Sequence, residues 1–227
     1  MAQFNGASSY VSVSNVSEIG QISNGGGNKV TITGWAFESA PLSGTQLNIV
    51  HLGGSAECTT TDNNLEIFLN INNAYTILQC NNDEMQSSTV SVPSMQWVFY
   101  ASTFNGSTFK GHLGLGGQFY SGATITGITN VILPNGPVFS IGGSGPFTSF
   151  WNGQIANVQI YNTTLSANDI QALYQEGIGG APVDLQNLVG WWPLNGNAHD
   201  YSGNNNNGQI NGGVTFTSSW ENGYTPP

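Results

Sequence analysis

The chain has 227 residues, enough for one large β domain or two small ones. Only 6% of its residues are charged, against about 25% in an average soluble domain, and Lys29 and Lys110 stand alone against twelve acids. A net charge of −10 without a basic cluster excludes nucleic acid and anionic membrane as natural partners, and an aromatic content of 11% excludes a disordered chain.

The first segment, "MAQFNGASSYVSV", has neither a basic start nor an apolar run. It carries no recognisable export leader, which beside such a composition suggests an excised fragment. No stretch approaches the roughly 18 apolar residues of a membrane span, so no membrane insertion is expected. Solubility must rest on Asn, Ser, Thr, Gln and Gly, as suits an extracellular or cell-surface protein.

The dominant hydrophobic period is two, the mark of strands. In "KVTITGWAF", Val30 and Ile32 oppose Thr31, Thr33 and Trp35. In "LEIFLNI", Leu65, Ile67, Leu69 and Ile71 share one face. "QWVFYASTF" is apolar on both faces and predicts a central strand covered twice. "GQIANVQIYN" sets Ala156, Val158 and Ile160 against Ile155, Asn157, Gln159 and Tyr161. Turn clusters such as "SNGGGN", "TFNGST" and "LPNGP" separate these runs, which predicts a sandwich or jelly roll. One segment departs from the pattern. In "LSANDIQALYQEG", Ser166 and Asp169 form a capping box, Ile170, Leu173 and Tyr174 follow at helical spacing, and Gly177 ends a helix over 166–176. A linker at 181–187 then leads into a further β segment. Cys58 and Cys80 are compatible with one disulfide, worth about 3 kcal/mol in the chain-entropy model. The sequons at Asn15, Asn105 and Asn162 are possible glycosylation sites.

Several motifs together resemble one family, the LamG-like, concanavalin A-like jelly rolls: "FNGASSYVSV", "VTITGWAF", "WVFYASTFNGSTFKGHL", "FWNGQIANVQIYNTTLSANDIQALY" and "GWWPLNGNAHDYSGNNNNGQINGG". The resemblance implies an all-β concanavalin A-like (LamG-like) jelly-roll β-sandwich with one short helix. The strand order is permuted or offset, because the "WWPL" strand that opens the family stands here at the C-terminus. The expected organisation is a single domain over 1–227. Residues 1–180 form the main body, and 188–227 supply the first strand and loop, closing this chain or a neighbouring copy.

Related jelly rolls include glycoside hydrolases, whose retaining chemistry needs two carboxylates about 5 Å apart. No E-x-D-x-E-like alternation occurs here, so no enzyme is expected. Calcium is the possible cofactor. Asp200, Asn197 and Asn204 offer oxygens in a Gly-broken loop, and the resemblance implies a further ligand near Asn157. Ala156 and Asn157 stand where the family often has acids, which weakens that site. The competing reading is a hydrogen-bonded Asx turn at Asp200. Candidates for sugar contact are His51, His112, Tyr120, Trp151 and Asn152, while Trp35, Trp97, Trp191 and Trp192 fall in strand motifs and are expected in the core. The expected function is a non-enzymatic recognition or adhesion module of a larger surface protein, binding a glycan or a surface protein. The alternative is a self-associating structural subunit completed by residues 188–227.

Overall fold

The computed structural model describes residues 1–13, 29–40, 47–53, 65–69, 75–79, 83–86, 92–126, 138–143 and 150–217. Cys58, Cys80 and Asn15 lie outside these residues, so the disulfide and the first sequon have no structural account.

Fifteen strands are laid down among the described residues: β1 Ala2–Asn5, β2 Tyr10–Val13, β3 Lys29–Glu38, β4 Leu47–Gly53, β5 Leu65–Leu69, β6 Tyr75–Gln79, β7 Asp83–Gln86, β8 Trp97–Asn105, β9 Thr108–Leu115, β10 Gln118–Thr126, β11 Val138–Ile141, β12 Asn152–Tyr161, β13 Leu188–Trp192, β14 Gln209–Asn211 and β15 Thr215–Phe216. They form two antiparallel sheets. The first runs β10-β9-β8-β3-β12-β1-β15, with β13 also beside β12, and the second runs β14-β2-β11-β4-β5-β6-β7. This is the mostly-β, sandwich-like jelly roll that the alternating pattern predicts.

The inner core lies between the sheets. Val30, Ile32 and Ala36 of β3, Val98, Tyr100 and Phe104 of β8, and Phe139 and Ile141 of β11 meet there. The outer face of the first sheet is apolar as well: Trp35, Phe99, Ala101 and Tyr161 pack under Ile170 and Leu173. Strand β8 is therefore covered on both faces, as its unbroken apolar run requires.

The cover is helix α1, Ala167–Glu176. Ser166 Oγ accepts from the Asp169 N–H, and Asp169 Oδ2 accepts from the Ser166 N–H, each at 3.2 Å. That reciprocal pair fixes the helix start at the expected residue. Tyr174 stacks on Trp35 at 5.7 Å and packs on Phe99 at 5.8 Å. It lies so close over Gly114 that an added Cβ would meet its ring at 2.2 Å.

Strand β12 corrects the alternation read from sequence. Ile155, Val158 and Ile160 face the inner core, whereas Ala156 and Tyr161 face outward. The cause is a register shift against β3 between Ala156 and Gln159, with Asn157 in the left-handed region at φ 50. One extra residue in a ladder exchanges the faces beyond it, and Asn tolerates that conformation better than most residues. At the same point β12 changes neighbour. Residues Asn152–Ile155 pair with β1, and Val158–Tyr161 pair with β13.

The C-terminal segment is thus inserted beside strands of its own chain: β13 on β12, β14 on β2 and β15 on β1. The Met1 ammonium donates to the Thr217 carbonyl at 2.8 Å, and the Thr217 N–H donates back to Met1 at 2.9 Å. Trp192 is fully buried, stacks on Phe139 at 5.2 Å and donates its indole N–H to the Asn206 carbonyl at 2.9 Å.

Candidate functional site

The five residues expected to contact sugar are not brought together. His51 on β4 is 1% exposed and stands opposite Glu66 of β5 and Ser140 of β11. His112 on β9 is buried, with Nδ1 3.0 Å from Ser121 Oγ and its ring stacked on Phe119 at 5.6 Å. Burial, and then the neighbouring Lys110 charge, push its pKa down to about 4, so the imidazole is neutral at physiological pH. Trp151 is fully buried and donates Nε1–H to the Gln154 carbonyl at 3.2 Å, so it has no face to offer a ligand. Asn152 is half-buried opposite Asn5. Tyr120 alone is exposed, on edge strand β10 opposite Leu113. The two histidines and Trp151 suit sugar contact by residue type, and burial removes them from the surface.

The loop after β13 is more organised than an isolated Asx turn. Asp200 Oδ1 accepts from the Trp191 and Ser202 N–H groups, both at 2.9 Å. Its Oδ2 accepts from Ser202 Oγ at 2.8 Å and the Asn206 N–H at 2.9 Å. The Asn204 side-chain amide donates to the Leu188 and Val189 carbonyls at 2.9 and 3.0 Å. Asn197 Oδ1 accepts from the His199 N–H at 2.9 Å. Asn157 donates to the Gly180 carbonyl at 2.8 Å, while its Oδ1 accepts from Trp191 Nε1 at 2.7 Å and Gln159 Nε2 at 3.0 Å.

Asp200, Asn197, Asn204 and Asn157 are the four residues expected to ligate calcium. Both oxygens of the one carboxylate already accept two hydrogen bonds each, as does the Asn157 oxygen. This donor set suits a hydrogen-bonded loop rather than a cage of six to eight free oxygens. Among the described residues, no group of three or more His, Cys, Asp or Glu is placed to hold a metal.

Trp191, expected in the core from its strand motif, lies only half-buried. Because successive strand residues face opposite ways, only one of Trp191 and Trp192 can point inward. Trp192 takes the inner face, and Trp191 lies half-buried on the outer one. The Tyr201 N–H donates to the Trp191 carbonyl at 2.8 Å, which brings the Tyr201 ring to 6.2 Å from the indole at 66°. Tyr201 is 51% exposed. Trp97 is likewise only half-buried, packed on Phe37 at 5.6 Å. Of the two described sequons, Asn105 and Asn162 are both exposed.

Two antiparallel sheets packed face to face, with a helix on one outer face, define a jelly-roll β-sandwich. The sequence matches the concanavalin A-like lectin/glucanases superfamily over residues 5–171, and the chain belongs to that superfamily. No curated protein matches the sequence at a significant level. Among solved structures, a candidate carbohydrate-binding protein from Bacteroides ovatus superposes with TM-score 0.63 at 16% identity, over 96% of this chain and 62% of that one. A SAP-like pentraxin from Limulus polyphemus gives 0.54 at 10% identity, over 79% and 82%. The enzymatically active domain of tailspike protein 2 from bacteriophage CBA120 gives 0.51 at 15% identity, over 73% and 26%. At these identities the fold is what is shared. The chain spans 62% of the length of the Bacteroides protein and 26% of the tailspike domain.

Proposed function

We propose that this chain is a non-catalytic glycan-recognition module of an extracellular or cell-surface protein. The observation that carries the reading is the superfamily fold combined with an exposed loop built of amides and hydroxyls rather than charges. Saccharides are bound by hydrogen bonds to such groups and by apolar contact with aromatic rings. The Bacteroides neighbour, which shares the fold over nearly the whole chain, supports the same direction. A catalytic role would need a matched pair of carboxylates, and the one acid of the candidate loop, Asp200, is spent on backbone and side-chain hydrogen bonds. A role in adhesion, and export with a Cys58–Cys80 disulfide, follow from the same reading.

A glycan array probed with the purified chain, with and without chelator, tests it. Binding to at least one glycan in both conditions is expected, and no binding in either condition overturns the reading. Reduction should add two protons to the intact mass if the disulfide is present.

A further inference from the structure

We propose that the Trp191–Tyr201 corner is the saccharide subsite of this chain and that it accepts a neutral pyranose residue. The proposal rests on the glycan-binding reading above and deepens it by naming the place and the ligand class.

Both rings are held before any ligand arrives. Trp191 is fixed by its indole bond to Asn157 at 2.7 Å and its backbone bond to Asp200 at 2.9 Å. The Tyr201 backbone is fixed by its N–H bond to the Trp191 carbonyl at 2.8 Å, and its ring is held at the hydroxyl, which accepts from Asn197 Nδ2 at 3.2 Å. Ordering rotamer-rich side chains is a main cost of association, and a preset pair avoids much of it. The rings meet edge-on at 66°, and Tyr201 remains 51% exposed. The exposed part of the Tyr201 ring is an apolar surface suited to the axial C–H face of a sugar.

The rim supplies the polar half of the match. Asn197 Nδ2 donates to the Tyr201 hydroxyl at 3.2 Å, which leaves that hydroxyl its own proton to donate to a sugar oxygen. Asn195, His199 and Asn205 are exposed in the same loop. The choice of a neutral sugar follows from charge. The two lysines, Lys29 and Lys110, sit on β3 and β9, away from β13, the chain has no arginine, and the acid of the loop, Asp200, is engaged by four hydrogen bonds. No lysine or arginine stands in the loop to compensate a carboxylate or sulfate, and the net charge of −10 opposes one.

The experiment uses the full chain against an array of neutral glucans, galactans, mannans and xylans beside sialylated, sulfated and uronic-acid glycans. Glycans that bind are then titrated into 15N-labelled protein. The expected result is neutral glycans among the binders and a shift of the Trp191 indole N–H resonance. Tyr201→Ala should weaken binding by roughly tenfold or more, as removal of a central aromatic contact does, and Tyr201→Phe by less. Melting temperature checks that both variants fold, and the indole shift of the wild-type chain needs no variant. If Tyr201→Ala binds as the wild type does, or the indole resonance stays still, the subsite is wrong while the glycan-binding reading stands. Binding of acidic glycans alone overturns the neutral assignment. Binding of none overturns the subsite together with the function it rests on.

Discussion

Glu38→Gln is expected to stabilise the protein at neutral and alkaline pH and to leave it nearly unchanged in acid. Glu38 ends β3 on the inner side of the first sheet, in one register row with Gly153 of β12 and Phe4 of β1. It is 4% exposed, and among the described residues its Oε1 has no hydrogen-bond partner. Burial pushes its pKa from the ordinary 4.5 up to about 7. A folded state that holds a proton more tightly than the unfolded chain loses stability as pH rises. The contribution is fully present below 4.5 and is lost by the time pH passes about 7. At about 1.4 kcal/mol per tenfold change in proton affinity, the loss is about 3 kcal/mol. For a domain of this size, that corresponds to roughly 6–12 °C in Tm.

The assay is a series of thermal melts of both proteins from pH 4 to 8.5, read as the difference between them. Taking the difference matters because His112 has the opposite slope. Its pKa is depressed to about 4, so it costs stability as pH falls below the ordinary 6.5. In the wild type the two slopes offset between roughly pH 4.5 and 6.5, and the glutamine variant should reveal the histidine's alone. A difference in Tm that is the same at every pH would refute the reasoning.

Three further outcomes are expected. The His112 ring resonances should hold the neutral position down to about pH 5 and move only near pH 4; a midpoint near 6.5 would show that the imidazole is not buried. Asp200→Ala leaves three backbone donors and the Ser202 hydroxyl without their acceptor, and should cost about 3–5 kcal/mol in urea denaturation. Millimolar calcium should leave the wild-type Tm in place, whereas a rise of roughly 5 °C would contradict the hydrogen-bonded loop. Gly114→Ala pushes a methyl into the Tyr174 ring and should cost about 1–3 kcal/mol, read as a lowered urea midpoint.

What the sequence made legible is what local periodicity controls. The doubly apolar run at Trp97–Asn105, the capping box at Ser166 and the glycine stop at Gly177 each report a nearest-neighbour rule, and each appears where it was read. The phase of β12 beyond Asn157 was not legible. A single left-handed residue exchanges the faces, and nothing in "QIANVQI" distinguishes a bulge from an unbroken strand. The proposed subsite is not legible for a related reason. Residue type selects Trp151 and His51 as readily as Trp191, and only burial separates them. The double tryptophan did hold a usable signal, since a pleated strand cannot turn both rings inward. Glu38 carried none, because its burial depends on which strands cover the end of β3.

Removing everything after Pro182 tests whether the displaced strand is structural, and it bears on the site as well. The linker that precedes β13 lies along its own chain rather than leaving it. The Gly180 carbonyl accepts from Asn157, and the Asn187 carbonyl accepts from the Asn162 N–H. A linker held at these points delivers β13 beside its own β12, which favours closure within one chain over exchange between copies. Leu188, Val189, Trp192 and Leu194 are each no more than 6% exposed. At about 1.5–3 kcal/mol per buried side chain, these four contribute roughly 6–12 kcal/mol, comparable to the entire stability of an ordinary domain. The truncated chain should therefore be unfolded or aggregated by circular dichroism and sedimentation, while the full chain sediments as a monomer at every concentration. A folded, monomeric truncation would show that the strand is dispensable. A full chain whose mass rises with concentration would place the strand in a neighbour. The proposed subsite follows the strand in either case, because Trp192 secures β13 in the core while Trp191, the next residue back, forms the wall of the corner.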